Sequence, residues 1–203
     1  MNQALSNRAS ELLNWLQEAT NDLGKQFVCP DDDWSATLFC LSASGSLFVL
    51  PLRFSGDAEK KLCCAVTIPS AIAETKAVTV GLVLSTWVVR FTESDGVTAL
   101  DERVERLMGG LRPSQHPRRH EELILTVFEE NVSATATADI HRHSQCPPTL
   151  GEWARQPAAV QSRGQFYDAI CAALKANDAP GTQGVSVLPP IREMTLLWER
   201  LND

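Results

Sequence analysis

All four histidines of the chain, His116, His120, His141 and His143, fall in the stretch HPRRHEELILTVFEENVSATATADIHRH, and Cys146 follows closely. Imidazole is the side chain that ligates metals and moves protons near neutral pH, so this crowding is the first place to look for chemistry. The pattern between the histidines is that of two β-strands. Leu123, Leu125 and Val127 alternate with Glu122, Ile124, Thr126 and Phe128, while Ala134, Ala136, Ala138 and Ile140 alternate with Thr135, Thr137, Asp139, His141 and His143. A hairpin loop with an even number of residues sets apolar against apolar; an odd loop buries Asp139 and His141 among leucines. The reading is a four-residue loop from Glu130 to Ser133, which pairs Leu125 with Ala138, His141 with Glu122 and His143 with His120. Directly opposed Cβ atoms lie about 4.5 to 5.5 Å apart, close enough for His120, His141 and His143 to share one zinc ion, with Cys146, His116 or Glu122 as a fourth ligand or base. The competing reading is a solvated polar face, which any half-exposed antiparallel strand presents.

A second chemical grouping precedes the hairpin. Arg112, Arg118 and Arg119, with His116 and His120, form a basic knot in a Pro-flanked loop, and Arg118 and Arg119 carry the forked donors that suit a phosphate or carboxylate ligand. Asp31, Asp32 and Asp33 form an acidic counterpart. Both runs are equally readable as solvated loops. No GxGxxG, P-loop, GxSxG, HExxH or CxxC occurs, so dinucleotide, nucleotide, serine-hydrolase, zinc-protease and thioredoxin chemistry have no motif here.

The elements that must hold these groups follow from periodicity. Leu5, Ala9, Leu12, Leu13, Leu16, Ala19 and Leu23 repeat at helical spacing up to Gly24, which predicts an amphipathic N-terminal helix. TLFCLSA and SLFVLPLRF, split by Ser44-Gly45, predict a hairpin whose second strand is kept at an edge by Pro51. A helix opening at Asp57 should break or kink at Pro69. VTVGLVLSTWVVRF, rich in β-branched and aromatic residues, predicts a central strand. Residues 92–120 form a long connection with one short helix before the basic knot, a length that is often functional. After the hairpin a helix spans 163–176, with Phe166, Ile170 and Leu174 on one face. The expected order, α-β-β-α-β-β-β-α, makes an α+β domain with a five-stranded antiparallel or mixed sheet over residues 1–177. Residues 178–188 then read as a linker and 189–203 as an amphipathic helix carrying Leu197, Trp198 and Leu201.

Composition narrows the classes of function. A chain of 203 residues with 44% hydrophobic residues can bury one core, and a net charge of −7 lacks the basic footprint of a general nucleic-acid binder. No apolar run is long enough to span a bilayer, and MNQALSNRASELLNWLQ does not read as a signal peptide, so a cytoplasmic protein is expected. The six cysteines, several within apolar patterns, are expected as reduced thiols.

Three features, Ser85-Thr86-Trp87 ending a strand, Pro113-Ser114-Gln115-His116-Pro117-Arg118-Arg119 before a Glu-rich strand, and Leu150-Gly151-Glu152-Trp153, resemble a family of small uncharacterised bacterial proteins over residues 34–153. That resemblance implies no activity, and it gives weight to the basic knot. Element order is also similar to roadblock and profilin-like folds, whose members mostly serve as dimerising scaffolds. His141-Arg142-His143 is similar to the His-x-His of JAMM-type metalloproteases, but the residues that follow depart from that pattern. The reading is therefore a non-catalytic scaffold or adaptor that binds a protein partner or a second copy, needs no cofactor, and contacts neither nucleic acid nor membrane. Its contacts are expected from Arg112, Arg118, Arg119, Leu197, Trp198 and Leu201. The alternatives are a zinc-dependent hydrolase or regulator at His120, His141, His143 and Cys146, and an anion-binding protein using Arg118 and Arg119.

Overall fold

The computed structural model describes residues 6–90, 108–130, 132–156 and 164–177. The chain opens with α1 (Asn7–Gly24), started by Ser6, whose hydroxyl accepts the Ala9 N–H at 3.2 Å. The hairpin β1 (Thr37–Ser42) and β2 (Leu47–Pro51) follows. Next comes a helical segment in three parts: α2 (Asp57–Leu62), a π turn over Cys63–Thr67, and α3 (Ile68–Thr75). Pro69 explains the division. It has no N–H for the carbonyl one turn back and its ring crowds that carbonyl, so the ladder widens before it.

The long strand β3 (Ala77–Val88) is followed by a 3-10 turn at Pro113–Gln115, β4 (His120–Glu129), β5 (Val132–His141), and the two-residue strands β6 (Thr149–Leu150) and β7 (Ala154–Arg155). The described chain closes with α4 (Gln165–Ala176). The sheet runs β2-β1-β3-β4-β5-β6, β7 also pairs with β5, and every pairing is antiparallel. The α+β expectation holds, and among the described residues the sheet has seven strands where five were expected. β6 and β7 were illegible because two residues carry no alternation. The expected linker and C-terminal helix, with Leu197, Trp198 and Leu201, lie outside the described residues.

Strand alternation divides the core in two. On one face α1 lays Leu12, Leu13, Leu16, Ala19 and Leu23 over Phe39, Val83, Leu123, Leu125, Val127 and Ala136. Gly81 permits the contact, since a Cβ there would come 2.8 Å from Leu16 Cδ1. Trp34, fully buried, donates its indole N–H to the Thr20 carbonyl at 2.9 Å and so fastens the end of α1. On the other face α3 and α4 cover Leu38, Cys40, Val80, Leu82 and Phe128. Asn177 ties these helices to the sheet by donating to the Ala77 carbonyl at 2.9 Å.

The hairpin register departs from the one expected. Its parity is as predicted, with one apolar face, but Leu125 pairs with Ala136, Leu123 with Ala138 and Glu122 with Asp139, a slip of two residues. Glu129 pairs with Val132, leaving two residues between the strands rather than four. β-Branched Val132 thereby lies in the strand, where its backbone needs no positive φ.

Candidate functional site

Chemistry gathers where β3 ends, β4 begins and β5 ends. Val88 pairs with His120, Trp87 with Glu121 and Thr86 with Glu122, so consecutive glutamates point to opposite faces of the sheet. Each face therefore carries its own ionic cluster.

On the face shared with α3 and α4 stand His120, Glu122 and Asp139. Glu122 is 3% exposed, and its Oε1 meets His120 Nε2 at 2.5 Å and Arg90 Nη2 at 2.7 Å. The same Arg90 nitrogen lies 3.3 Å from Asp139 Oδ1, and His120 Nε2 lies 4.0 Å from that oxygen. Among the described residues this is the trio of potential metal ligands that converges, each offering an atom within 4.8 Å of the others. Two carboxylates thus share one guanidinium, and the more buried of them also meets the imidazole.

On the α1 face the Arg142 fork binds Glu121 through Nε to Oε2 at 2.6 Å and Nη2 to Oε1 at 3.0 Å. Arg142 also reaches Asp33 Oδ1 at 3.1 Å and the Asp32 carbonyl at 3.1 Å, clamping the acidic loop to the hairpin. Asp33 forms one wall of an open cleft of about 720 Å³ that also includes Trp34, Arg53, Phe54, Glu59 and Ser85. Burial raises the Asp33 carboxyl above the usual range, against the lowering pull of Arg142, the Trp34 N–H and Ser85. Glu59 is lowered instead by the N–H and hydroxyl of Ser55. Ser85 Oγ donates to Asp33 Oδ2 at 3.3 Å, one of the contacts that hold the Asp33 carboxyl in the cleft wall.

The residues singled out from sequence scatter. His120 joins the cluster, but His141, His143 and Cys146 are exposed and outside it, because the two-residue slip pairs Asp139 with Glu122 and ends β5 at His141. His116 is buried, and its Nδ1 accepts the Arg118 N–H at 3.1 Å. The basic knot is divided among separate tasks. Arg112 pairs with Asp57 at 3.5 Å, Arg118 donates to the Arg90 carbonyl at 3.2 Å, and Arg119 lies over the Trp87 ring at 5.2 Å. Sequence reasoning missed Arg90, Asp139 and Arg142. For Arg90 the signal was a lone charge closing an apolar strand.

A different opening lies at the far edge of the sheet. Leu52 N–H donates to the Ala36 carbonyl at 2.7 Å and Ser42 N–H to the Ser46 carbonyl at 2.9 Å, so the alternation of an antiparallel ladder directs the polar groups of Phe48 and Leu50 at β1. The N–H and C=O of Leu47 and Val49 consequently point outward, and among the described residues no strand pairs with them. Residues 47–52, LFVLPL, carry no charge, and Phe48 is 47% exposed. Comparison with protein-family models, curated proteins and solved structures found no match to this chain.

Proposed function

We propose that this protein is a non-catalytic, cytoplasmic interaction module, a scaffold or adaptor that accepts a strand of a partner along β2, with a second copy of the chain as the simplest occupant. The observation that carries the reading is the uncharged, outward-facing backbone of β2. Edge strands of soluble proteins are ordinarily guarded by charges, bulges or a covering element, and among the described residues Pro51 alone interrupts the row of donors. An antiparallel pairing about Val49 is self-complementary. Each Val49 exchanges N–H and C=O with its counterpart, each Leu47 N–H meets the opposite Pro51 carbonyl, and Phe48 packs against Leu50.

Other features support the same reading. Leu62 and Val66, one helical turn apart, are 61% and 52% exposed, which gives the helical layer an apolar surface of its own. All six cysteines are free thiols, in keeping with a reducing compartment. The analogy with roadblock and profilin-like folds tilts towards scaffolding, and kinship with the bacterial family stays a proposal resting on the residues quoted above. Anion binding by Arg118 and Arg119 has less behind it, because those side chains already serve the Arg90 carbonyl and the Trp87 ring.

The test is the solution mass across a dilution series. Val49→Pro removes an outward N–H and leaves the Phe48 and Leu50 bonds to β1 in place. The wild type should approach twice the 22.3 kDa of the chain, and the variant should remain monomeric with little change in melting temperature. Equal mass for both at every concentration contradicts self-pairing.

A further inference from the structure

We infer that His120, Glu122 and Asp139 form a binding site for a divalent transition cation of the zinc class, with the Arg90 guanidinium as the internal cation that it displaces. The donor set is one imidazole nitrogen and two carboxylates on neighbouring strands. That mixture suits Zn²⁺, Fe²⁺ or Mn²⁺ better than Mg²⁺ or Ca²⁺, which favour oxygen alone.

Small side-chain movements reach the geometry this chemistry needs. Tetrahedral ligands about 2.0 to 2.2 Å from an ion stand roughly 3.3 to 3.6 Å from one another. His120 Nε2 and Asp139 Oδ1 stand 4.0 Å apart, and no pair in the trio is wider than 4.8 Å. The 2.5 Å approach of His120 Nε2 to Glu122 Oε1 must open by about 1 Å as the metal enters.

One further observation favours a cation beyond the mere presence of acids. The place between the carboxylates is occupied by positive charge, Arg90 Nη2 touching both at 2.7 and 3.3 Å, beside a Glu122 that is almost fully buried. Arg90, 54% exposed, can swing into solvent without disturbing the core, and a doubly charged ion then neutralises both carboxylates. A bound ion would tie β4 to β5 where their ladder ends.

The experiment is a titration of the full chain with Co²⁺, a spectroscopic probe, followed by displacement with Zn²⁺. The expected result is one equivalent of Co²⁺ whose ligand-field bands lack thiolate charge transfer, since no cysteine belongs to the trio. Asp139→Asn and His120→Ala, at positions 42% and 30% exposed that should fold normally, are expected to weaken binding at least about tenfold. Arg90→Ala should tighten it by removing the competitor. The inference is overturned if neither the wild type nor Arg90→Ala binds Co²⁺. It is equally overturned if the bound ion shows a thiolate band, or if Asp139→Asn and His120→Ala bind it as the wild type does, because the ion then sits elsewhere.

Discussion

Burial disfavours the charge of Asp33 more than Arg142, Ser85 and the Trp34 N–H favour it. The folded state therefore holds the Asp33 proton more tightly than the unfolded chain, and between 3.8 and the folded value stability falls as pH rises. Unfolding titrations of wild type and Asp33→Asn should show the wild type losing ground to the variant as pH climbs through that window; a constant difference contradicts the assignment. The thiols give a second readout. Burial pushes Cys40 up to about 11, and it raises Cys63, Cys64 and Cys171 as well. Alkylation at neutral pH should mark the exposed Cys29 and Cys146 first, the half-buried Cys64 and Cys171 more slowly, and Cys40 and Cys63 only on unfolding. At this scale the sequence was a partial guide. It exposed His120 through the clustering of histidines, but a histidine does not announce its partners, and Arg90 and Asp139 came to it through register.

At the scale of elements, periodicity was the dependable signal and length the weak one. α1 and β3 were legible because many residues repeat one pattern, whereas β6 and β7 have two residues each and hold their places through pairing with β5 and contacts to α1. The β4–β5 hairpin lies between these cases. Apolar alternation determined which residues share a face, since a one-residue shift reverses it, but a two-residue slip preserves every face and escapes the same argument. That slip moved His143 out of the strand and Asp139 into the cluster. Gly81 offers a test of how tightly α1 is seated. Gly81→Val would drive its side chain into Leu16 and Phe39, both fully buried, and should cost about 1 to 3 kcal/mol, or more if the helix cannot shift. Denaturant unfolding measures this, and an unchanged midpoint would mean that α1 is not packed as described.

At the scale of the whole molecule, the sheet is covered by α1 on one face and by α3 and α4 on the other, so among the described residues it stays open at its end and its edge. The end holds the ionic clusters and the edge holds β2. Among the described residues, no helix is long and apolar enough to cross a membrane. The edge was half legible in sequence, because Pro51 marked β2 as unfit for the interior of the sheet, but which amides face outward depends on the phase of the β1–β2 ladder, and a strand pattern does not encode it. Amide hydrogen exchange at single-residue resolution over a range of protein concentrations tests the central claim most directly. Phe48 and Leu50, bonded to β1, serve as protected controls. The account predicts that Leu47 and Val49 are also protected and that their protection grows with concentration. Free exchange at Leu47 and Val49 at every concentration, with Phe48 and Leu50 still protected, would contradict it.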